Sequence, residues 1–195
     1  AREGSAWRVQ EKSFDAVIVA CSASHAVQLL NQSLGRVDDF TAAQLTAWNQ
    51  CTDGLRFESI ATLYAHATQA RLAQPMLALR SSATAPAQFV FDRGQLGGPA
   101  GLLAFVVSAS HGDRALLQAQ VLTQAQAQLG LCLHPIQTVV EKRATFACTP
   151  ALIRPSQRIA PALLACGDYV AGPYPATLEG AVRSGLGAAA VLKAL

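Results

Sequence analysis

Read along the chain, the spacing of apolar and polar positions changes period several times, and each change predicts an element. Trp7 to Glu11 alternates as a short strand, and Phe14 to Ala20 (FDAVIVA) is an unbroken β-branched run of the kind that fills a buried parallel strand. Ser22 or Ser24 is placed to cap a helix running to Leu30, with Val27 and Leu30 on its inner side. Asp38 and Asp39 precede a second helix, Thr41 to Gln50, in which Thr41 is the expected cap and Leu45 and Trp48 share a face.

From Leu55 the period becomes two. Phe57, Ser59, Ala61, Leu63 and Ala65 alternate with Glu58, Ile60, Thr62, Tyr64 and His66, predicting a long strand. Shorter strands at Met76–Leu79, Gln88–Phe91 and Leu102–Ser108 are separated by turn residues at Ser81–Pro86 and Gly94–Gly101, which predicts an antiparallel meander. Asp113 caps a helix from Arg114 to Leu129 that Gly130 closes, and Ile136 to Phe146 returns as a strand whose Glu141 and Lys142 mark an edge. After Pro150, Pro155 and Pro161 come a short strand, Ala162 to Cys166, a Gly/Pro loop, and a helix from Leu178 to Leu195 opened by Thr177. The expected fold class is α/β, in an α+β arrangement. A strand and helix at each chain end form one layer, and a mostly antiparallel sheet flanked by helices is inserted between them.

Composition narrows what such a fold does. Of 195 residues, 51% are hydrophobic and only 14% charged, which excludes intrinsic disorder. The net charge of +3 is spread without a basic cluster, so no nucleic-acid partner is expected. Five cysteines, Cys21, Cys51, Cys132, Cys148 and Cys166, show no CxxC or Cys/His spacing, so neither a disulfide framework nor a metal site is expected. The polar opening AREGSAWRVQEKSFD has no apolar core of a secretion signal, and no run looks able to span a bilayer, giving a cytoplasmic expectation. His111-Gly112-Asp113 suggests a hydrolase dyad, but Asp113 is explained as a helix cap and no GxSxG is present.

The richest chemistry lies in ACGDYVAGPYPATLEGAVRSGLGAAAVL. A strand ending in Gly167-Asp168, a Gly/Pro loop and a helix start at Thr177 would aim free backbone N–H groups and a positive dipole end at the loop. Asp168, at the carboxyl end of a strand, is placed to accept from ligand hydroxyls, and Gly180 and Gly185 would permit close approach of a flat group or a second backbone. On the residues alone, this is either a ligand site or a capped helix packed on a sheet.

The segment resembles the C-terminal flavin motif of the amine oxidase and phytoene desaturase superfamily of FAD enzymes. The resemblance implies FAD as cofactor, held by Gly167 and Asp168 at its ribityl or diphosphate portion, with Tyr174, Pro175, Ala176, Thr177, Leu178 and Gly180 beside the flavin ring. FDAVIVAC followed by SHAVQLL is similar to the second FAD-domain strand and helix of that superfamily, with Ser22-Ala23 where a proline pair is often found. QPMLALRSSATAPAQFVFDRGQLGG, above all its FVFDRG, resembles the substrate-domain segment of squalene-associated FAD-dependent desaturases, the hydroxysqualene dehydroxylases of hopanoid biosynthesis. No strand-linked GxGxxG occurs, and GQLGGPAG has the wrong spacing, so the likeness is to the C-terminal portion of such an enzyme, without its diphosphate-binding half.

The resemblance implies three segments: 1–35 in the FAD lobe, 36–155 for substrate, and 156–195 returning to the cofactor. It implies reductive dehydroxylation of hydroxysqualene to squalene, which needs a hydride donor, a proton source and a dry channel. Asp92 is the expected acid, with Arg93 orienting it, although the pair also reads as a local turn contact. Phe57, Ile60, Leu63, Phe89, Phe91, Phe105 and Val107 are candidates for the channel or for plain sheet core. The expected partner is an apolar isoprenoid, with peripheral contact at the inner membrane and a homodimer through the exposed FAD-lobe surface as further expectations. A carotenoid or phytoene-type desaturase and a flavin amine oxidase are the alternative enzymes. A non-catalytic apolar-ligand-binding or self-associating module is the alternative for the isolated chain.

Overall fold

A computed structural model describes residues 1–4, 6–68 and 70–193. In chain order the strands are β1 (Arg2–Glu3), β2 (Ala6–Val9), β3 (Lys12–Phe14), β4 (Val17–Val19), β5 (Phe57–His66), β6 (Met76–Ala78), β7 (Phe89–Asp92), β8 (Leu102–Ser108), β9 (His134–Phe146), β10 (Arg158–Ala160) and β11 (Leu163–Ala165). The helices are α1 (Ala23–Asn31), α2 (Asp39–Asp53), α3 (Arg114–Leu129) and α4 (Leu178–Lys193). They gather into two compact units, one from 1–56 with 146–195 and one from 57–145. The inserted unit is therefore shorter at both ends than the expected 36–155, because α2 packs on α1 and on β10 and so stays with the chain termini.

In the unit built from both termini, β4 runs parallel to β11, Val17, Ile18 and Val19 lying beside Leu163, Leu164 and Ala165, and β10 completes the sheet antiparallel to β11. The apolar run Phe14–Ala20 is not one strand. Phe14 belongs to an antiparallel meander, β1-β2-β3, where it faces Trp7, and only Val17–Val19 reach β11. Trp7, 4% exposed, fixes that meander by donating its indole N–H to the Pro161 carbonyl at 2.9 Å. Arg2 donates to the Thr41 hydroxyl at 2.8 Å and lies 3.5 Å from the Asp38 carboxylate.

Ser22 sits at the N-cap of α1, but its hydroxyl meets His25 Nδ1 at 2.8 Å rather than a backbone N–H. The cap of α2 is Asp38, not Thr41: the Asp38 carboxylate accepts from the Thr41 N–H at 2.9 Å and from its hydroxyl at 2.8 Å, so the helix begins two residues earlier than expected.

The inserted unit is a five-stranded sheet in the order β6-β7-β8-β5-β9. The meander is real from β6 to β8, and β8 then pairs antiparallel with β5, Leu63 lying beside Phe105. One face closes on α3: Ala61, Leu63, Ala65, Val90, Leu103, Phe105 and Val107 pack with Leu117, Val121 and Ala125. Asp113 caps α3 through the Ala115 and Leu116 N–H groups, and Gly130, at φ 68°, closes it. The glutamines of α3 have a structural use. Gln124, 2% exposed, accepts from the Ala87 N–H at 2.9 Å and donates to the Ala87 and Arg80 carbonyls, while Gln128 also donates to Arg80. Two polar side chains thus fasten the β6–β7 connection to the helix.

Candidate functional site

The parallel strands β4 and β11 end side by side at Cys21 and Cys166, and the segment after β11 builds the candidate site. Helix α4 is docked on the strand end by Ser184, whose hydroxyl accepts from the Gly167 N–H at 2.8 Å and lies 3.0 Å from the Gly167 carbonyl. Gln157 adds a hydrogen bond from its amide to the Ser184 carbonyl at 2.6 Å. From the opposite side Arg154 donates to the Val170 carbonyl at 2.9 Å and to the Gly172 carbonyl, drawing in the loop.

The turn before α4 is strained. Tyr174 and Ala176 both lie at φ 57°, in the left-handed region that side chains other than glycine rarely adopt. Thr177 holds the turn. Its hydroxyl donates to the Tyr174 carbonyl at 2.6 Å and accepts from the Gly180 N–H at 3.0 Å, so it caps α4 as expected. The Tyr174 carbonyl is thereby folded over the first helical turn, and a Cβ on Gly180 would fall 2.2 Å from its oxygen. Gly180 is required here. Gly185, by contrast, has open space where a Cβ would stand, so no second backbone meets it among the described residues.

Several polar groups at this turn have no partner among the described residues: the Asp168 carboxylate, half-buried at the end of β11, and the Leu178 and Glu179 N–H groups at the start of α4. Leu178 is 87% exposed and Tyr174 51%, with the Arg183 guanidinium 5.0 Å over the Tyr174 ring. Gly172, Pro173, Gly180, Arg183 and Ser184 help line a depression of about 190 Å³. The arrangement offers one free carboxylate for hydroxyls and one helix N-terminus for an electron-rich edge.

Asp92 has a different role from the one expected. It is 2% exposed and accepts from the Leu72 N–H at 3.0 Å, the Gln95 N–H at 3.3 Å and the Gln95 side-chain amide at 2.8 Å. Burial alone would push its carboxyl up, but the Gln95 side chain and the Leu72, Gln95 and Gly94 backbone N–H groups outweigh it and hold the carboxyl below the ordinary carboxylate range. A carboxylate stabilised in its charged form is a poor proton donor. Arg93 is exposed and not among its partners, so the expected acid and orienting pair is instead a buried brace for the loop from Leu72 to Gln95.

The candidate channel residues also divide. Leu63, Phe105 and Val107 lie in the core under α3, whereas Ile60, Phe89 and Phe91 lie on the other face of the sheet. On that face Met76 stands beside Phe91, Phe91 beside Ala104, and Ala104 beside Tyr64, with Phe89 beside Val106 in the next row. Met76 remains 50% exposed and Phe89 38%, so the face is apolar and open along its rows.

Residues 5–193 match the family described as flavin containing amine oxidoreductase. The chain belongs to that family. Its fold is shared with solved structures that include a candidate protoporphyrinogen oxidase from Exiguobacterium sp. 255-15, at TM-score 0.63 and 16% identity, covering 98% of this chain and 45% of that one. An oxidoreductase from Methanosarcina mazei matches at TM-score 0.60 and 13% identity, over 94% and 44% of the two chains. A protein from Pyrococcus furiosus matches at TM-score 0.63 and 13% identity, over 93% and 41%. The chain thus spans less than half the length of these structures. No curated protein matches its sequence significantly.

A flavin-containing family is consistent with the FAD expected from the sequence, and the residues present suit it. A carboxylate just past a parallel strand and the N–H groups at the start of α4 are of the chemical kinds that would hold such a cofactor. Sequence reading missed two supports of this site, Arg154 and Ser184. Ser184 lies one helical turn beyond Gly180, on a face the helical period points back to the strand end, and that spacing was the available signal. Arg154 had none, because its partners are carbonyls sixteen and eighteen residues away.

Proposed function

We propose that this chain forms the C-terminal part of an FAD-dependent oxidoreductase acting on a long isoprenoid, with reductive dehydroxylation of hydroxysqualene to squalene as its reaction. The observation that carries the substrate class is the open face of the inserted sheet. Met76, Phe89, Phe91, Val106 and Tyr64 present a mostly hydrocarbon surface across β6, β7, β8 and β5. Such a face suits a chain of methyl-branched alkenes, which offers area and almost no hydrogen-bonding groups.

When bound, reduced flavin supplies the hydride that replaces the allylic hydroxyl. The protein's share is to hold and to exclude water. Asp168 would hold ribityl hydroxyls and the Leu178 and Glu179 N–H groups would serve the electron-rich edge of the ring, while Thr177 and Gly180 keep that helix start in place. The leaving hydroxide departs as water with one proton.

The test is anaerobic incubation of flavin-loaded enzyme containing this chain with hydroxysqualene. Squalene as product supports the reading, whereas an unchanged alcohol, or new double bonds introduced into a carotenoid-type chain, would replace it. No helix among the described residues is long and apolar enough to cross a membrane.

One observation favours a second reading for the 195-residue chain by itself. Leu178, Val182 and Leu186 lie at i, i+4 and i+8 on α4 and are 87%, 60% and 67% exposed, an apolar stripe suited to self-association. Sedimentation equilibrium of the chain and its Val182→Glu variant decides it: a dimer lost on substitution supports self-association, and a monomer in both removes it.

A further inference from the structure

Tyr169 follows the candidate cofactor carboxylate directly and is used by nothing described so far. Its side chain is 2% exposed, and its hydroxyl has no hydrogen-bond partner. The ring is closely held: it meets the Trp48 ring edge-on at 6.3 Å, and a Cβ on residue 167 would lie 2.5 Å from its Cε1, so Gly167 leaves the space it fills. A phenylalanine would make the same packing without burying an unsatisfied hydroxyl, which is the costly part of the arrangement.

The hydroxyl has a definite neighbourhood. Burial, then the Cys21 and Cys166 thiols and the Asp168 carboxylate, push its phenol well above the ordinary range, so it stays protonated as a donor. Those three residues follow within three positions of the ends of β4 and β11, the side of an open parallel sheet on which ligands bind. All three are short and half-buried. Thiols are weak acceptors, so the two cysteines do not satisfy it.

We propose that Tyr169 is a further cofactor-binding residue, its buried hydroxyl donating a hydrogen bond to an oxygen of the ribityl-diphosphate portion of FAD at the ends of β4 and β11. The inference rests on the flavin reading of this site and adds to it a donor beside the Asp168 acceptor. The pair would grip a stretch that both donates and accepts, as a polyol next to a diphosphate does.

The experiment compares the enzyme containing this chain with its Tyr169→Phe variant in two measurements. In the absence of cofactor, thermal unfolding of Y169F is expected at the same temperature as the parent or higher, because only an unsatisfied group has been removed. A lower midpoint would show that the hydroxyl is already satisfied within the fold and would overturn the proposal. In FAD titrations followed by flavin fluorescence anisotropy, Y169F is expected to bind about three- to tenfold more weakly, the range for one lost hydrogen bond. Equal affinity of the two proteins would overturn the inference while leaving the flavin site intact. Failure of the parent itself to bind FAD would remove the flavin reading and this inference with it.

Discussion

Asp92 and Asp168 are both aspartates at or just past the end of a strand, and the contrast between them separates the two units of this chain. Asp92, in the inserted unit, is enclosed by three donated hydrogen bonds from Leu72 and Gln95. The Asp168 carboxylate, in the unit built from the termini, accepts none among the described residues, although the residue's carbonyl accepts from the Ala176 N–H. The same division extends outward. In the inserted unit Gln124 answers both the Ala87 and the Arg80 backbone, leaving no loose polar end in that connection. Around Asp168 the Leu178 and Glu179 N–H groups and the Tyr169 hydroxyl go unanswered, and Tyr174 and Ala176 hold left-handed backbone. Buried polar groups that are satisfied stabilise a fold, whereas unsatisfied groups gathered at a strained turn mark the place where the fold expects something else to bind.

The largest effect should come from breaking the satisfied carboxylate. Asp92→Ala leaves buried donors of Leu72 and Gln95 without an acceptor and is expected to cost roughly 3–5 kcal/mol of stability. Urea denaturation measures it, and a loss below about 1 kcal/mol would mean the brace is dispensable. Next is Gly180→Ala. Its Cβ would stand 2.2 Å from the Tyr174 oxygen, so the turn must shift, at about 1–3 kcal/mol. FAD affinity should fall with it, and a variant that keeps both stability and affinity would separate the turn from the cofactor.

Asp168→Ala reverses the pattern of Asp92→Ala. Because the carboxylate has no partner among the described residues, stability should stay within about 0.5 kcal/mol while FAD binding weakens about tenfold, or about 1.4 kcal/mol. Unchanged flavin content in equilibrium dialysis contradicts the role assigned to it.

The smallest effect concerns pH. The Thr41 N–H, then the Thr41 hydroxyl and the Arg2 charge, hold the Asp38 carboxyl below its ordinary value. A carboxyl depressed in the folded state contributes stability that is fully present above the unfolded pKa of about 3.9 and is lost as pH falls through the folded value. Acid titration of the unfolding midpoint should therefore show a decline below about pH 4 that Asp38→Asn makes shallower. An identical decline in both proteins would place the acid sensitivity elsewhere.

How legible these features were in the sequence follows the range of the interactions that make them. The α3 cap at Asp113 and its close at Gly130, the β8 run and the Thr177 cap are set by neighbours within a few residues, and the residues there state them directly. The parallel pairing of β4 with β11 joins residues nearly one hundred and fifty apart, yet the β-branched run VIV announced a buried strand even though Phe14 was drawn off to face Trp7. Asp92 was misread because FVFDRG places an arginine beside it, while the true partners, Leu72 and the Gln95 amide, are chosen by the path of a loop. The sheet faces were mixed because phenylalanine stands on both: Phe105 in the core and Phe89 and Phe91 outside it, which only register distinguishes. The candidate cofactor segment was legible as a pattern, and its unanswered polar groups became visible only with coordinates.

The central claim is that these unanswered groups form a flavin site and that the satisfied aspartate of the inserted unit does not. Backbone amide NMR of the ¹⁵N-labelled 195-residue chain titrated with FAD tests it most directly. The account predicts that the amides of Asp168, Tyr169, Leu178, Glu179 and Gly180 shift, while those of Leu72, Asp92 and Gln95 stay in place. Shifts confined to the Leu72–Gln95 loop, or no shifts at the start of α4, would contradict it.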